Sequence, residues 1–167
     1  SNIGLPLGPC SGISVIDIDT DDVTIIKAIL EVLPNPLWVR KGAKGAVLAY
    51  KHNPALKTFR IRTINNESIV EYLSEGTYVV LPPSIHPKTD KPYTENKPLW
   101  EVKDGLPTLP TNIEDTLRNS LKKVGVSVGD SKIATKVTEF VPSGARDISL
   151  TRAAGLFAFA VLRGERS

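Results

Sequence analysis

The sequence predicts an α+β fold: a mostly antiparallel sheet with packed helices and a helical C-terminal appendage. Two observations point there. Short runs of β-branched and aromatic residues crowd the stretch from about 12 to 81, divided by Gly42, Gly45, Asn53-Pro54, Asn65-Asn66 and Gly76, as hairpin turns require. Helically spaced apolar residues occupy only a few separate segments, so the helices pack on a sheet rather than alternate with its strands.

Taken in order, Gly12 to Asp19 reads as a buried strand ending in carboxylates, and Thr20-Asp21-Asp22 as the start of a helix. Ile25, Ile26, Ile29, Leu30 and Leu33 continue that helix until Pro34-Asn35-Pro36 stops it. Strands are predicted at Leu37 to Arg40, Ala46 to Tyr50, Thr58 to Thr63, Ser68 to Leu73 and Thr77 to Leu81. Pro82 to Pro110 reads as a long ordered loop pinned by Tyr93 and Trp100. A helix follows from Thr111-Asn112 through Val124, with Lys122-Lys123 suited to its C-terminal dipole. Gly125 to Lys136 reads as a polar linker, and a last apolar helix is expected from about Ile148 to Leu162. The expected division is 1–111 for the main domain, 112–136 for a helix and linker, and 137–167 for the start of a helical segment.

Composition narrows the function classes. The apolar fraction of 41% supports a real core, and a net charge of +3 permits binding to a polyanion without demanding it. Cys10 is the single cysteine, which excludes an internal disulfide and a Cys-based zinc site and implies a cytoplasmic protein. No apolar run approaches the ~20 residues of a membrane span. Ser1-Asn2-Ile3-Gly4 lacks the features of a signal peptide and reads as a tag remnant on a trimmed domain, in keeping with the absence of methionine. Gly-x-Ser-x-Gly, Walker-type and His-Glu-x-x-His motifs are absent from the sequence.

Four groups of residues could carry chemistry. Asp17 and Asp19 alternate on a strand, so both carboxylates share one face and would repel unless a cation such as Mg2+ or Mn2+ lies between them. They could also simply end a strand and cap a helix. Trp38-Val39-Arg40-Lys41-Gly42-Ala43-Lys44-Gly45, with Lys51 beyond, combines exposed backbone N–H groups with positive charge suited to triphosphate or template; a turn with solvated lysines is the plain alternative. Glu71, after Ile69-Val70, could complete a three-carboxylate metal site or occupy a wet strand face. In Leu81-Pro82-Pro83-Ser84-Ile85-His86-Pro87, prolines fix the backbone that presents Ser84 and His86, either to a ligand or to loop carbonyls. His52, beside Asn53-Pro54, reads as a turn residue.

Asn2-Ile3-Gly4-Leu5-Pro6-Leu7-Gly8-Pro9-Cys10-Ser11-Gly12-Ile13-Ser14-Val15-Ile16-Asp17-Ile18-Asp19 resembles the start of the bifunctional primase-polymerase domain of the archaeo-eukaryotic primase superfamily, found on phages, plasmids and integrated elements. Glu71-Tyr72-Leu73-Ser74-Glu75-Gly76-Thr77-Tyr78-Val79-Val80-Leu81-Pro82-Pro83-Ser84-Ile85-His86-Pro87 and Pro92-Tyr93 are similar to the same family, in its order and spacing. The stretch from Phe140 through Gly155 is similar to the helical primase C-terminal segment that links such a domain to a helicase.

The resemblance implies a primase-like catalytic core that copies a single-stranded DNA template using nucleoside triphosphates, with a helicase as partner. It also implies a two-metal site at Asp17, Asp19 and Glu71, with a small residue and a histidine handling the incoming nucleotide. Many members carry that histidine on the strand before the third acid, where this chain reads Gly45-Ala46-Val47-Leu48-Ala49-Tyr50. Ser84-Ile85-His86 fits the small-x-His pattern but follows Glu71, so the role falls to His86, Lys44 or Lys51. The alternative reading is a catalytically impaired module that holds nucleic acid or nucleotide for a replication-initiation protein. A carboxylate metal nuclease is the third.

Overall fold

A computed structural model describes residues 1–130. The chain turns at Gly12 (φ +70°) into β2 (Ile13–Ile18), which becomes the middle of the molecule. All of β2 is buried because both sheet faces are covered, which is why it reads as an apolar run broken only by Ser14 and Asp17. Asp22 then caps α1 (Val23–Val32), its Oδ1 accepting from the backbone N–H of Thr24 at 2.9 Å and of Ile25 at 3.2 Å.

The strands β3 (Val39–Lys41), β4 (Ala46–Lys51), β5 (Phe59–Arg62), β6 (Ser68–Leu73) and β8 (Thr94–Glu95) join β2 in a six-stranded sheet of order β5-β6-β2-β4-β3-β8. Every pairing in it is antiparallel, as the sequence predicts. β1 (Ile3–Pro6) and β7 (Tyr78–Leu81) form a separate two-stranded ribbon.

Alternation along β2 sorts the core into two layers. Ile16 and Ile18 join Ile26 and Ile29 of α1 and Ile113, Leu117 and Leu121 of α3 (Ile113–Lys123). Ile13 and Val15 join Leu7, Val79, Trp38 and Leu99, the last from the one-turn α2 (Leu99–Val102). Asp17 belongs by parity to this second face.

The helix after Thr111 forms as predicted, with Glu114 and Asp115 in its first turn and Lys122 and Lys123 in its last. Gly125 (φ +86°) ends it: its N–H donates to the Lys122 carbonyl at 3.0 Å, and the Val126 N–H to that of Leu121 at 3.1 Å. This paired arrangement closes the helix and turns the chain back toward the sheet.

Three readings of the sequence need correction. The stretch from Gly125, expected to be a polar linker, lies along β5 as far as it is described: the Ile64 N–H donates to the Ser127 carbonyl and that of Gly129 to Arg62. Val126 and Val128 pack on the core, so the tail is held by apolar burial as well. Trp100, expected to pin the proline-rich loop, is 68% exposed; Tyr93 and Leu99 are the buried anchors. The loop also contributes β8 and α2, which are too short for periodicity to announce. The helix expected at 148–162 lies outside the described residues.

Gly8 and Gly12 both have positive φ, but only Gly8 is hemmed in: a Cβ there would meet Glu75 Cα at 2.8 Å, whereas at Gly12 nothing lies within 4 Å. Gly12→Ala should therefore cost only the left-handed backbone penalty, about 1 kcal/mol. Gly8→Ala adds a clash with backbone and should cost about 3 kcal/mol. Urea denaturation of the two variants checks the ranking.

Candidate active site

A row of side chains crosses the sheet on the second face. Reading the register from one edge, Arg60 (β5) pairs with Glu71 (β6), Glu71 with Asp17 (β2), Asp17 with Val47 (β4), Val47 with Arg40 (β3), and Arg40 with Glu95 (β8). Directly paired residues share a face with Cβ atoms about 5 Å apart. The centre of the sheet thus holds two carboxylates opposite each other, a pairing that normally destabilises a sheet.

Asp17 is 1% exposed, and its Oδ1 has no hydrogen-bond partner among the described residues. Burial, first, and the negative charges of Glu71 and Asp19 push its proton affinity well above the ordinary carboxylate value; Arg40 pulls the other way. Asp19 continues the strand by one pairing, its N–H donating to the Ile69 carbonyl at 2.8 Å, and so faces the same side as Asp17.

The loop from Gly42 to Gly45 is held against this end of β2. Asp21 Oδ1 accepts from the Gly45 N–H at 3.0 Å, and Lys44 Nζ stands 3.6 Å from Asp19 Oδ1. Asp21 was legible only as part of a helix start; the cap is Asp22, and Asp21 instead fixes the basic loop. Lys41 is half-buried at the end of β3, opposite Thr94 of β8.

Two of the expected phosphate contacts are placed elsewhere. Arg40 is fully buried: its Nη1 donates to the Val80 carbonyl at 2.6 Å, and its guanidinium lies 4.5 Å over the Tyr93 ring. Burial pulls its proton affinity down while Asp17 and Tyr93 pull it up, so it is an internal counter-charge rather than a surface clamp. Lys51 pairs with Ile13, at the opposite end of β2 from Asp17, about 13 Å along the strand.

Ser84 and His86 are buried and face inward. Ser84 Oγ accepts from the Ile3 N–H at 2.8 Å, which fastens the N-terminal strand to this loop. His86 Nδ1 accepts from the N–H groups of Lys88 and Thr89 at 3.1 and 3.2 Å, which assigns the ring proton to Nε2. Its ring lies 5.4 Å from that of Tyr93 and tilted to it, so His86, Tyr93 and Arg40 form a chain of contacts running to the acidic row. His52 does more than turn the chain: its Nδ1 is 3.0 Å from Ser14 Oγ and 3.1 Å from Ser74 Oγ, at the far end of β2.

Sequence reasoning passed over Arg60 and Arg62. Arg60 Nε is 3.6 Å and Arg62 Nη2 4.0 Å from Glu71 Oε1, which also accepts from Ser68 Oγ at 3.4 Å. Their alternation on a predicted strand is the same signal that singled out Asp17 and Asp19. Among the described residues, no group of three or more His, Cys, Asp or Glu side chains is arranged to hold a metal ion, and Glu71 is turned toward the arginines of β5.

An antiparallel sheet with opposed carboxylates at its centre and a basic loop at its margin is the kind of site that handles phosphates. The family model described as bifunctional DNA primase/polymerase, N-terminal, matches residues 1–112, and the chain belongs to that family. The family is one of DNA-dependent nucleotidyltransferases, whose substrates are DNA and nucleotides. No curated protein matches the chain. No helix among the described residues is long and apolar enough to cross a membrane.

The raised proton affinity of Asp17 fixes a sign. A carboxyl that holds its proton more tightly folded than unfolded is neutral and unpenalised at low pH. Its penalty grows as pH rises from the ordinary value of 3.8 through the folded value. Asp17→Asn should therefore stabilise the metal-free protein by about 2 kcal/mol near neutral pH, and the gain should shrink as pH falls toward about 4. Urea unfolding in EDTA across that range reads it out.

Proposed function

We propose that this chain is the nucleotidyl-transfer domain of a primase-polymerase serving a phage, prophage or plasmid replication system. The observation that carries the reading is Asp17: a buried carboxylate oxygen without a hydrogen-bond partner, opposite Glu71 and two residues from Asp19, in a chain that belongs to the primase-polymerase family. In the reaction the 3′-oxygen of a primer or first nucleotide bonds to the α-phosphorus of a nucleoside triphosphate. The bond to the β-phosphate oxygen breaks, pyrophosphate leaves, and the hydroxyl proton passes to solvent or a nearby base.

The donor set fits hard divalent ions, Mg2+ or Mn2+, because every candidate ligand is a carboxylate oxygen and one is left without a hydrogen-bond donor. Asp17 and Asp19 would hold them, with Glu71 as the third acid. Two such ions supply activation of the attacking oxygen and stabilisation of the leaving one. Lys44, beside Asp19, and Lys41 would offset triphosphate or template charge. Arg40 tempers the repulsion at Asp17 from within, and His86 and Ser84 support the pocket wall through Tyr93 and β1. The main domain would be 1–111, with 112–136 and 137–167 leading to a helicase in the replication protein.

One observation favours a second reading, a module that holds nucleic acid without turnover: Glu71 faces Arg60 and Arg62, as an acid with a structural partner would. Extension of a labelled primer-template with four deoxynucleotides and Mn2+ separates the two. The wild type should extend the primer, and Asp17→Asn should lose at least about a hundredfold of that rate. Addition of Mn2+ should also raise the melting temperature of the wild type but not of Asp17→Asn. Extension at full rate by the variant sinks the assignment, DNA binding without extension supports the module, and degradation without nucleotides points to a nuclease.

A further inference from the structure

The acidic row ends at an arginine that the proposed chemistry does not use. Arg60 is 9% exposed, and its ion-pair partner among the described residues is Glu71, whose Oε1 lies 3.6 Å from Nε, beyond hydrogen-bonding distance. A guanidinium stays charged at any working pH and has five N–H donors in a rigid fork. Burying one without acceptors is costly, and native structures supply a partner, a water or an ion. Arg60 Nε has no hydrogen-bond partner among the described residues, and neither has Arg62 Nε.

Both arginines line the same small, solvent-open cleft, about 30 Å3, at the β5 edge. The irregularity between Ile61 and Arg62 shifts the register so that Arg60 pairs with Glu71 and Arg62 with Ser68. The two side chains therefore emerge together and share the Glu71 carboxylate. Asn66 adds its amide, held 3.4 Å from Arg62 Nη1. The opposite wall is the returning tail: Gly129 sits so close to β5 that a Cβ would lie 3.0 Å from the Thr63 carbonyl oxygen. Asp130 also lines the cavity, but it is solvent-exposed and its charge is screened.

We infer that this cavity is an anion site that takes a phosphate group, bound by the forked donors of Arg60 and Arg62 and by Asn66. Two guanidinium groups share one buried carboxylate, so a positive charge remains for the ligand, and planar forks suit phosphate oxygens. The site lies about two strand spacings, roughly 10 Å, from Asp17 along the row. A phosphate held there belongs either to the tail of a nucleotide or to the backbone of a nucleic-acid strand. That choice of ligand rests on the polymerase reading; the existence of an anion site does not.

The test uses the full chain in EDTA, with inorganic pyrophosphate in calorimetry and a single-stranded oligodeoxynucleotide in anisotropy across salt. Arg62→Gln and Asn66→Asp are the informative variants. Both positions are more exposed than Arg60, and Asp tolerates the positive φ of Asn66. Each should weaken at least one probe about tenfold or more, and Arg62→Gln should reduce the oligonucleotide salt slope by about 0.7. Asp17→Asn should retain the binding. A loss confined to pyrophosphate assigns the site to the nucleotide, and one confined to the oligonucleotide assigns it to the strand. Unchanged affinity for both probes in folded variants, or no binding by the wild type, overturns the site. Primer extension that fails while Arg62-dependent binding persists counts only against the polymerase reading.

Discussion

The constraint on which the structure turns is the placement of Asp17 and Glu71 opposite each other in the buried middle of a sheet. Two carboxylates on neighbouring strands cost stability twice, by desolvation and by mutual repulsion. The fold can carry that cost because β2 is otherwise committed. Five of its six residues are held by two apolar layers or by the Ser14 cluster, and its register is shared with strands on both sides. A one-residue slip would carry Asp17 into the layer with Ile26, Ile29 and Leu117, so the pattern that buries the acid also fixes its face.

The proline-rich segment matters to the same constraint, though it touches the acids only through intermediaries. Tyr93 receives the Arg40 guanidinium on its ring and His86 at its side, and the His86 ring nitrogen ties down the turn that follows. Ser84 fixes β1 to this segment. The motif Pro82-Pro83-Ser84-Ile85-His86-Pro87 therefore does its work in this structure as a buttress behind Arg40.

What was legible in the sequence was whatever depends on local period. Asp17 and Asp19 could be placed on one face from alternation alone, and α1 and α3 from spacing and end signals. Arg40 was misjudged because its basic, glycine-rich neighbours made the whole run look solvated, while its burial depends on Tyr93, more than fifty residues away. Lys51 failed for a related reason: proximity in sequence to Lys44 says nothing about distance once β4 runs the length of β2. β1 was invisible because Ile3–Pro6 has a glycine and a proline among four residues and becomes a strand only through β7. Arg60 and Arg62 carried a readable alternation, but two arginines on a strand usually mark its wet side, and only the register with Glu71 overturns that.

The order of residues along the row explains how one site can be both strained and open. Glu71 is compensated by direct approach, with Arg60 and Arg62 against its carboxylate. Asp17 is compensated at a distance: Val47 stands between it and Arg40, so the positive charge acts through the low-dielectric interior without occupying the carboxylate oxygens. Were the arginine on β4 in place of Val47, it would pair directly with Asp17 and fill the position of the proposed cation. An apolar spacer between a buried acid and its counter-charge lowers the cost of the acid and leaves Asp17 Oδ1 without a hydrogen-bond donor. The metal ligation proposed for Asp17 needs both.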